Sequence, residues 1–441
     1  MIIAPKISIL LTSYNHAKYL RDAIESVLNQ TYKDFELLVW DDASVDNSWE
    51  IITSYSDERI HAFRNHTNQV EYFYKAISDM TQGLSEYIAI HHSDDVWEPK
   101  KLEKQVAYLD KNPDIGAVFS WAKFINEEGE LFEDETHPYY KLFEQPNRTR
   151  HEWLNHFFYK GNALCHPSLL IRKECYQEVG LYRNGMAQLP DFDMWVRLVM
   201  KYEIHVIPEK LIRFRIHQDK SNSSGNRSDT RIRIQFEYLQ VLENYREILS
   251  YSELAKIFPI AKKYERNGSG DTGFALGMIA VETAPFPFTK LLGLNLIFEA
   301  LNDPIRAKKL KEEYNFSHAD FIKLSAKHDV FSIEIRNLHE QLTGIMNSET
   351  WKLALFFRQT REKLIPIGSQ RDKLAQRAYS SLKMWRNEGM KALIVKIKNK
   401  VLQRSDYQRW IINNEPSKKD LAKQRSEVEA FDYKPLISVI M

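Results

Sequence analysis

The chain has 441 residues, 43% of them hydrophobic and 12% aromatic, enough for two to three domains with a sizeable core. Its net charge is only +1, but 14 Lys/Arg against 3 Asp/Glu fall between Lys352 and Arg404, leaving 47 basic and 57 acidic residues elsewhere, so a mildly acidic body carries a basic tail. Two cysteines, Cys165 and Cys175, exclude a disulfide framework and a zinc pattern, and no signal-peptide layout or run of 18 apolar residues is found, so the reading is cytoplasmic.

The first third alternates strand and helix. Lys6 to Leu11 reads as a buried strand, and Thr12 to Asn15 as a polar turn. Leu20, Ala23, Ile24, Val27 and Leu28 then mark one face of a helix over Tyr19 to Gln30. Phe35 to Trp40 is a second strand ending at Asp41-Asp42. Asn47 to Tyr55 predicts a helix, Arg59 to Arg64 a strand, Glu71 to Met80 a helix and Tyr87 to Ile90 a strand. That strand runs into His91-His92-Ser93-Asp94-Asp95-Val96-Trp97. A helix over Lys100 to Leu109 and a strand over Ile115 to Ser120 follow. Such alternation predicts an α/β fold with a mostly parallel sheet.

Beyond Trp121 the alternation weakens. Ser168 to Arg172, Ile204 to Ile207 and Arg213 to His217 read as three strands, with a helix over Phe192 to Met200. The polar run Asp219 to Asp229 reads as a domain boundary. From Thr230 the spacing is helical throughout, first as one long helix through Leu249. Breaks fall at Asn267 to Gly270, Pro285 to Pro287 and Pro304. Phe331, Ile335, Leu338, Leu342 and Ile345 form a heptad seam for a short coiled coil or a helical hairpin. Met390, Leu393, Ile394, Ile397 and Val401 share a helix face ringed by lysines, which suits an anionic membrane surface or packing on a neighbouring domain. Nucleic acid is the poorer partner, since no binding module accompanies the charge. Pro435 to Met441 (PLISVIM) repeats the pattern of Pro5 to Leu11 (PKISILL) and predicts the start of a second domain like the first. The expected divisions are therefore 1–225, a helical domain 226–320, a coiled-coil and basic linker 321–434, and 435–441.

Several acids stand where open α/β sheets place ligands, at strand ends. Asp41-Asp42 can meet a nucleotide or cap the next helix. Asp94-Asp95 can hold a divalent cation, which accepts carboxylate oxygen and leaves positions for phosphates, or can cap a helix. Asp191 and Asp193 open a helix two residues apart, so only one can face a cleft as a general base; both also suit a helix N-terminus. His217 ends a strand, either as a structural histidine or as part of a metal shell.

The blocks SILLTSYNHAKYLRDAIESVLNQTYKDFELLVWDDAS, HHSDDVWEPKKL, HPSLLIRKE, PDFDMWVRL and RFRIHQDKSNS, over about residues 5 to 225, together resemble the family 2 glycosyltransferases, inverting enzymes of the GT-A fold. The resemblance implies roles by position. Thr12 and Tyr14 would cradle the nucleobase, Asp42 would contact base or ribose, and Asp95, the neighbour of Asp94, would belong to the same nucleotide-sugar site. Asp94 would be the metal ligand that closes the family's D-x-D motif, His217 would complete the metal or diphosphate site, and Asp191 would be the catalytic base. Mn2+ or Mg2+ is the implied cofactor. The implied donor is a UDP- or dTDP-sugar and the implied acceptor a glycan or lipid-linked sugar, in O-antigen or capsule synthesis. Three positions depart from the pattern: His92 replaces the first acid of D-x-D, Pro190 the Glu before the base, and Thr12 the usual Pro. The second half resembles connecting regions of large bacterial multi-domain glycosyltransferases, whose typically lipid-linked acceptors would suit contact of the basic segment 352–404 with the inner face of the cytoplasmic membrane, packing on a neighbouring domain being the alternative.

Two other readings compete. A sugar-nucleotide pyrophosphorylase would need a glycine-rich loop where TSYNHA stands. A degenerate, non-catalytic module that binds glycan or positions a second domain would explain His92 and Pro190.

Overall fold

The structure, a computed structural model, describes residues 5–68, 71–132, 140–217, 227–331 and 341–348, with Trp351 and Lys373. The chain divides into two units, 1–334 and 335–441. In the second, a helix is described at 341–347. Ile335 and Leu338 of the heptad lie outside the described residues, as do most of 352–404 and all of 435–441; Phe331, Leu342 and Ile345 are exposed. No helix among the described residues is long and apolar enough to cross a membrane.

The first unit is built on an eight-stranded sheet. Its elements, in chain order, are β1 (Ile7–Ser13), α1 (Ala17–Leu28), β2 (Phe35–Asp41), α2 (Ser48–Thr53), β3 (Ile60–Arg64), α3 (Glu71–Gln82), β4 (Tyr87–His92), β5 (Val96–Trp97), α4 (Lys101–Lys111), β6 (Ile115–Ile125), α5 (Arg150–Lys160), β7 (Leu170–Arg172), α6 (Lys173–Val179), α7 (Pro190–Lys201) and β8 (Glu203–Arg215). Strand order is β3-β2-β1-β4-β7-β6-β8-β5. β1 runs parallel to β2 and β4, β2 to β3, and β6 to β8, while β7 and β5 pair antiparallel. The chain leaves β1 towards β2 and returns to its other side as β4. The crevice at such a switch point, at the carboxyl ends of the strands, is where ligand chemistry is expected.

Side chains sort between the two faces with the period of a strand. Ile7, Ile9, Leu11, Tyr87 and Ala89 join a cluster that contains Leu20, Ile24 and Val27 of α1 and Leu102 of α4. Leu10, Ile88 and Ile90 face the other way, into a core with Trp153 and Phe157 of α5 and Trp195 of α7. Both faces are covered, as a mostly parallel sheet requires.

The expected strands 204–207 and 213–217 are one strand, β8. Pro208, Glu209 and Lys210 at its middle are exposed, which breaks the apolar pattern. There the ladder skips, with Ile207 opposite Ser120 but Lys210 opposite Trp121, a bulge inside a continuous strand. Helix α5 had no clear periodicity, yet its start was marked. Thr149 and Glu152 form a reciprocal capping box, the Thr-x-x-Glu spacing.

Helices α8 (Ser228–Glu243), α9 (Tyr251–Ile257), α10 (Thr272–Thr283), α11 (Pro287–Asn302), α12 (Pro304–Tyr314) and α13 (His318–Ser325) complete the unit. α8 stops six residues short of Leu249. Asn244 donates its side-chain amide back to Val241 O (2.9 Å), and the chain tightens into a 3-10 turn over Asn244–Glu247. Val241, Leu254, Ile279, Ile297 and Leu310 belong to the same core as Trp153 and Trp195.

α10 is buried on all sides from Phe274 to Val281 and crosses α11 at two glycines. A Cβ on Gly293 would sit 2.6 Å from Gly277 O, 2.8 Å from Ala280 Cβ and 2.9 Å from Val281 Cγ2. Gly293→Ala must push the helices apart, and is expected to cost about 1–3 kcal/mol in chemical denaturation, the usual range for overpacking. Wild-type stability would show that the crossing yields freely.

Candidate functional site

The carboxyl ends of the parallel strands carry the polar residues. Register places Thr12 between Trp40 on β2 and His92 on β4, and Ser13 beside Asp41. The turns after β1 and β2 interlock. Asn15 and Ala43 both adopt positive φ (55° and 60°). Asn15 N–H donates to Ser44 Oγ (2.9 Å), Val45 N–H to Asn15 Oδ1 (2.9 Å) and Asp42 N–H to Ser13 O (2.8 Å). The two acids that close β2 divide their work. Asp41 is buried, with Arg64 Nε 3.1 Å from Oδ2. Asp42 is half-buried at the edge and accepts from Asn65 Nδ2 (2.7 Å). Tyr14 is 45% exposed on the same side.

Across the edge, the loop after β4 meets the end of β8. Arg215 N–H donates to Asp95 Oδ1 (2.8 Å), and its Nε to Asp94 O (2.7 Å). The guanidinium also donates to Asn126 O and Glu127 O, and stacks over Tyr19 at 4.5 Å. His217, two residues on, brings Nε2 to 3.0 Å from Asp94 Oδ2. Burial alone would raise the Asp94 carboxyl, but the His217 hydrogen bond and the nearby His92 and His16 rings hold it low. Asp95 moves the other way: burial, then the Asp94 charge, push it up. Its Oδ2 is a buried oxygen with no hydrogen bond, and His92 Nδ1 lies 3.4 Å away.

His92, Asp94 and Asp95 each offer a donor atom within 4.8 Å of the others, the one such metal-ligating group found among the described residues. Two carboxylates, one of them with an orphaned oxygen, and an imidazole are a donor set that a hard divalent cation fits. His217 reaches this group through Asp94, as a partner that orients the carboxylate.

Asp191 lies in the first turn of α7, half-buried, while Asp193 is fully buried, paired with Arg197 (2.9 Å) and Arg183 (3.2 Å). Asn162 Nδ2 donates to Asp191 Oδ2 at 2.8 Å. Burial lifts the Asp191 carboxyl to about 6, against the pull of the Phe192 amide, Asn162 and His92. The His92 influence is mutual. Burial would lower that imidazole, but Asp95, Asp94 and Asp191 together raise it. His92 is therefore within electrostatic reach of both the acidic loop and Asp191.

Behind it runs a buried chain of rings. His92 Nε2 is 3.4 Å from His166 Nδ1, His166 Nε2 is 2.9 Å from Tyr182 OH, and Tyr176 donates to Tyr182 (3.3 Å). Burial pushes His166 well below the usual imidazole range.

Asp94, Asp95 and His217 thus converge. Asp191 joins them through His92, Thr12 borders His92 on the next strand, and Asp42 and Tyr14 lie on the β1–β2 side of the same edge. Sequence reasoning missed Arg215, Asn162, His166 and Tyr182. His166 and Arg215 lie in recognised blocks, but nothing in their spacing marks a role; Asn162 follows a helix that was not anticipated. A cavity of about 690 Å3 on the outer face of α5, lined by Arg148, His156, Lys160 and Lys256 among others, contains none of these acids.

Comparison with known proteins gives a consistent set of matches. Residues 8–173 match the model of a family described as glycosyl transferase family 2. An uncharacterized glycosyltransferase of Methanocaldococcus jannaschii is 33% identical over 219 residues, 48% of this chain and 71% of that one. The putative glycosyltransferase EpsE of Bacillus subtilis is 29% identical over 206 residues, 44% of this chain and 66% of EpsE. The O-antigen biosynthesis glycosyltransferase WbnJ of Escherichia coli is 27% identical over 234 residues, 51% and 84%. Similar solved structures include S. aureus TarS 1-349 in complex with UDP-GlcNAc (TM-score 0.43, 15% identity, 70% of this chain and 91% of that one). Another is the mannosyltransferase PcManGT of Pyrobaculum calidifontis with GDP-Man and Mn2+ (0.42, 15%, 74% and 88%).

The Asn162 hydrogen bond favours the ionised form of Asp191. Asn162→Ala is expected to raise the Asp191 pKa by on the order of one unit. A 13C carboxylate titration, assigned with Asp191→Asn, measures this; an unchanged or lowered value would remove Asn162 from the role.

Proposed function

The chain belongs to glycosyl transferase family 2, and from that premise we propose that it is an inverting enzyme whose base is Asp191, moving a sugar from a nucleotide-sugar to a glycan or lipid-linked acceptor. Its sheet has the GT-A form that the sequence resemblance implied, and the enzyme is a transferase. The observation that carries the finer reading is the placement of Asp191. It is a half-buried carboxylate whose charge interacts with His92, which itself belongs to the His92, Asp94 and Asp95 group.

The proposed reaction is a single displacement. An Asp191 carboxylate oxygen takes the proton of the acceptor hydroxyl. The freed oxygen pair bonds to the anomeric carbon from the face opposite the nucleotide. The bond from that carbon to the diphosphate oxygen breaks, and its electrons leave with the nucleoside diphosphate. Configuration inverts, and the proton remains on Asp191. Asp94, with Asp95 and His92 beside it and His217 behind it, would hold a Mg2+ or Mn2+. When bound, such an ion supplies charge neutralisation at the departing diphosphate. Thr12, Tyr14 and Asp42 border the nucleoside side of the edge. UDP- and dTDP-sugars are the proposed donors, and similarity to WbnJ supports surface polysaccharide as the product class.

A second reading follows from His92, which stands where the family pattern has an acid. On it, the domain binds a glycan without transferring sugar. Release of nucleoside diphosphate from UDP-, dTDP- or GDP-sugars separates the two, because a pure binder releases none.

Asp191→Asn is expected to lower turnover by about 10²–10⁴-fold, the usual contribution of general base catalysis, while nucleotide affinity stays within about twofold by calorimetry. Turnover at the wild-type rate would exclude Asp191 as base. With that half-buried carboxylate raised to about 6, activity should fall as pH drops through that value, because the proton then occupies the accepting oxygen. EDTA should abolish turnover and Mn2+ restore it; full activity in EDTA would sink the metal assignment.

A further inference from the structure

We propose that Glu237 of α8 is a positioning residue for Asp191, which makes the helical segment that follows the sheet a working part of the transfer site. The proposal rests on Asp191 being the base.

Glu237 is completely buried, yet its carboxylate faces backbone. Oε1 accepts from Ala187 N–H (2.9 Å), and Oε2 from Gln188 N–H (2.8 Å) and Leu189 N–H (2.7 Å). Leu189 is the N-terminal cap of α7, and Asp191 is the second residue of that helix. Three successive amides that a surface loop would offer to water are thus turned inward onto one side chain from a later part of the chain. Charge-assisted bonds of this kind are short and directional. Together they fix three peptide planes just before Pro190, whose ring fixes its own φ. The direction in which Asp191 leaves the backbone is then set by α8.

The neighbouring residue of α8 touches the chain on either side of the Asp191–Asn162 hydrogen bond, at Phe192 and at Gly161. Tyr238 packs edge-on against Phe192 (5.3 Å), the residue after Asp191. Its hydroxyl lies against Gly161, where a Cβ would come within 2.0 Å of it and where φ is +85°. Only glycine fits that position. The next residue, Asn162, donates to Asp191 Oδ2. Further along, Asn244 Nδ2 donates to Asp193 Oδ1 (2.8 Å). One side of α8 therefore braces the loop before the base, the ring after it and the turn that bears its hydrogen-bond donor. A purely structural carboxylate would be expected to stabilise the molecule as a whole. A brace is expected to act on transfer and to leave nucleotide binding, on the far side of the sheet edge, unchanged.

The test uses the full chain with Glu237→Gln, which keeps size and shape but turns an amide group towards the amides. Three quantities are read: calorimetric affinity for UDP, dTDP and GDP, nucleoside diphosphate release from the donor sugar that the wild-type chain turns over, and hydrogen exchange at 187–193. The expected result is faster exchange at 187–193, turnover down by about 10- to 100-fold, as small misplacements of a catalytic group produce, and nucleotide affinity within about twofold. Glu237→Asp, which keeps the charge on a shorter arm, should lose less and serves if the Gln variant does not fold. Wild-type turnover despite faster exchange would overturn the proposal. So would a parallel fall of turnover, nucleotide affinity and melting temperature. Asp191→Asn is run alongside: if it retains turnover, the base assignment fails whatever Glu237 does, and if it is inactive while Glu237→Gln is normal, only the brace fails.

Discussion

The end of β8 is pinned to the loop after β4, and the site depends on that junction. Arg215 supplies it twice, through its backbone amide to Asp95 and its side chain to Asp94 O. A buried guanidinium is tolerable only if its donors are satisfied, and here the carbonyls of 94, 126 and 127 and the Tyr19 face share the task. The consequence is positional. Asp94 and His217 are 123 residues apart in sequence and 3.0 Å apart in space. Without the junction, His217 would have no fixed relation to the acidic loop, and Asp94 would lose the hydrogen bond that keeps it ionised.

The same edge gathers groups that a stable protein would avoid. Asp95 keeps a buried oxygen without a hydrogen bond. Asp191 is half-buried, with its carboxyl raised. Like charges crowd Asp94 and Asp95, and the His92 imidazole feels the charge of both and of Asp191. Each feature works against stability and is understandable as the cost of chemistry. The contrast with Asp193 is instructive, because it is a buried acid whose two oxygens are both met by arginine. Neighbouring carboxylates of one sequence motif are thus sorted into structural and chemical roles by what surrounds them.

The helices after the sheet are continuous with this arrangement. They share the core of α5 and α7, and the N-terminal turn of α7 is reached by a carboxylate and a tyrosine of α8 and by an asparagine of the 3-10 turn that follows it. The close α10–α11 crossing then gives α8 a rigid backing, since α11 packs directly on it.

Much of the sheet was legible because strands β1, β2, β4 and the first half of β6 are short apolar runs, and α1 repeats with a helical period. Those signals are local, and local sterics and burial fix them. The motif acids were legible for the same reason, as carboxylates at strand ends. What sequence could not carry were relations between distant segments. β8 read as two strands because its bulge exposes Pro208 to Lys210. Arg215 looked like any alternating strand residue, Asn162 lay behind an unrecognised helix, and Glu237 was one more acid on an amphipathic helix. Residue type and spacing therefore determined the fold class and the candidate acids. Only the tertiary structure decided which acid is satisfied, which is left raised or unbonded, and which distant side chain holds it. Hydrogen bonding and desolvation depend on neighbours that the fold alone brings within 3 Å.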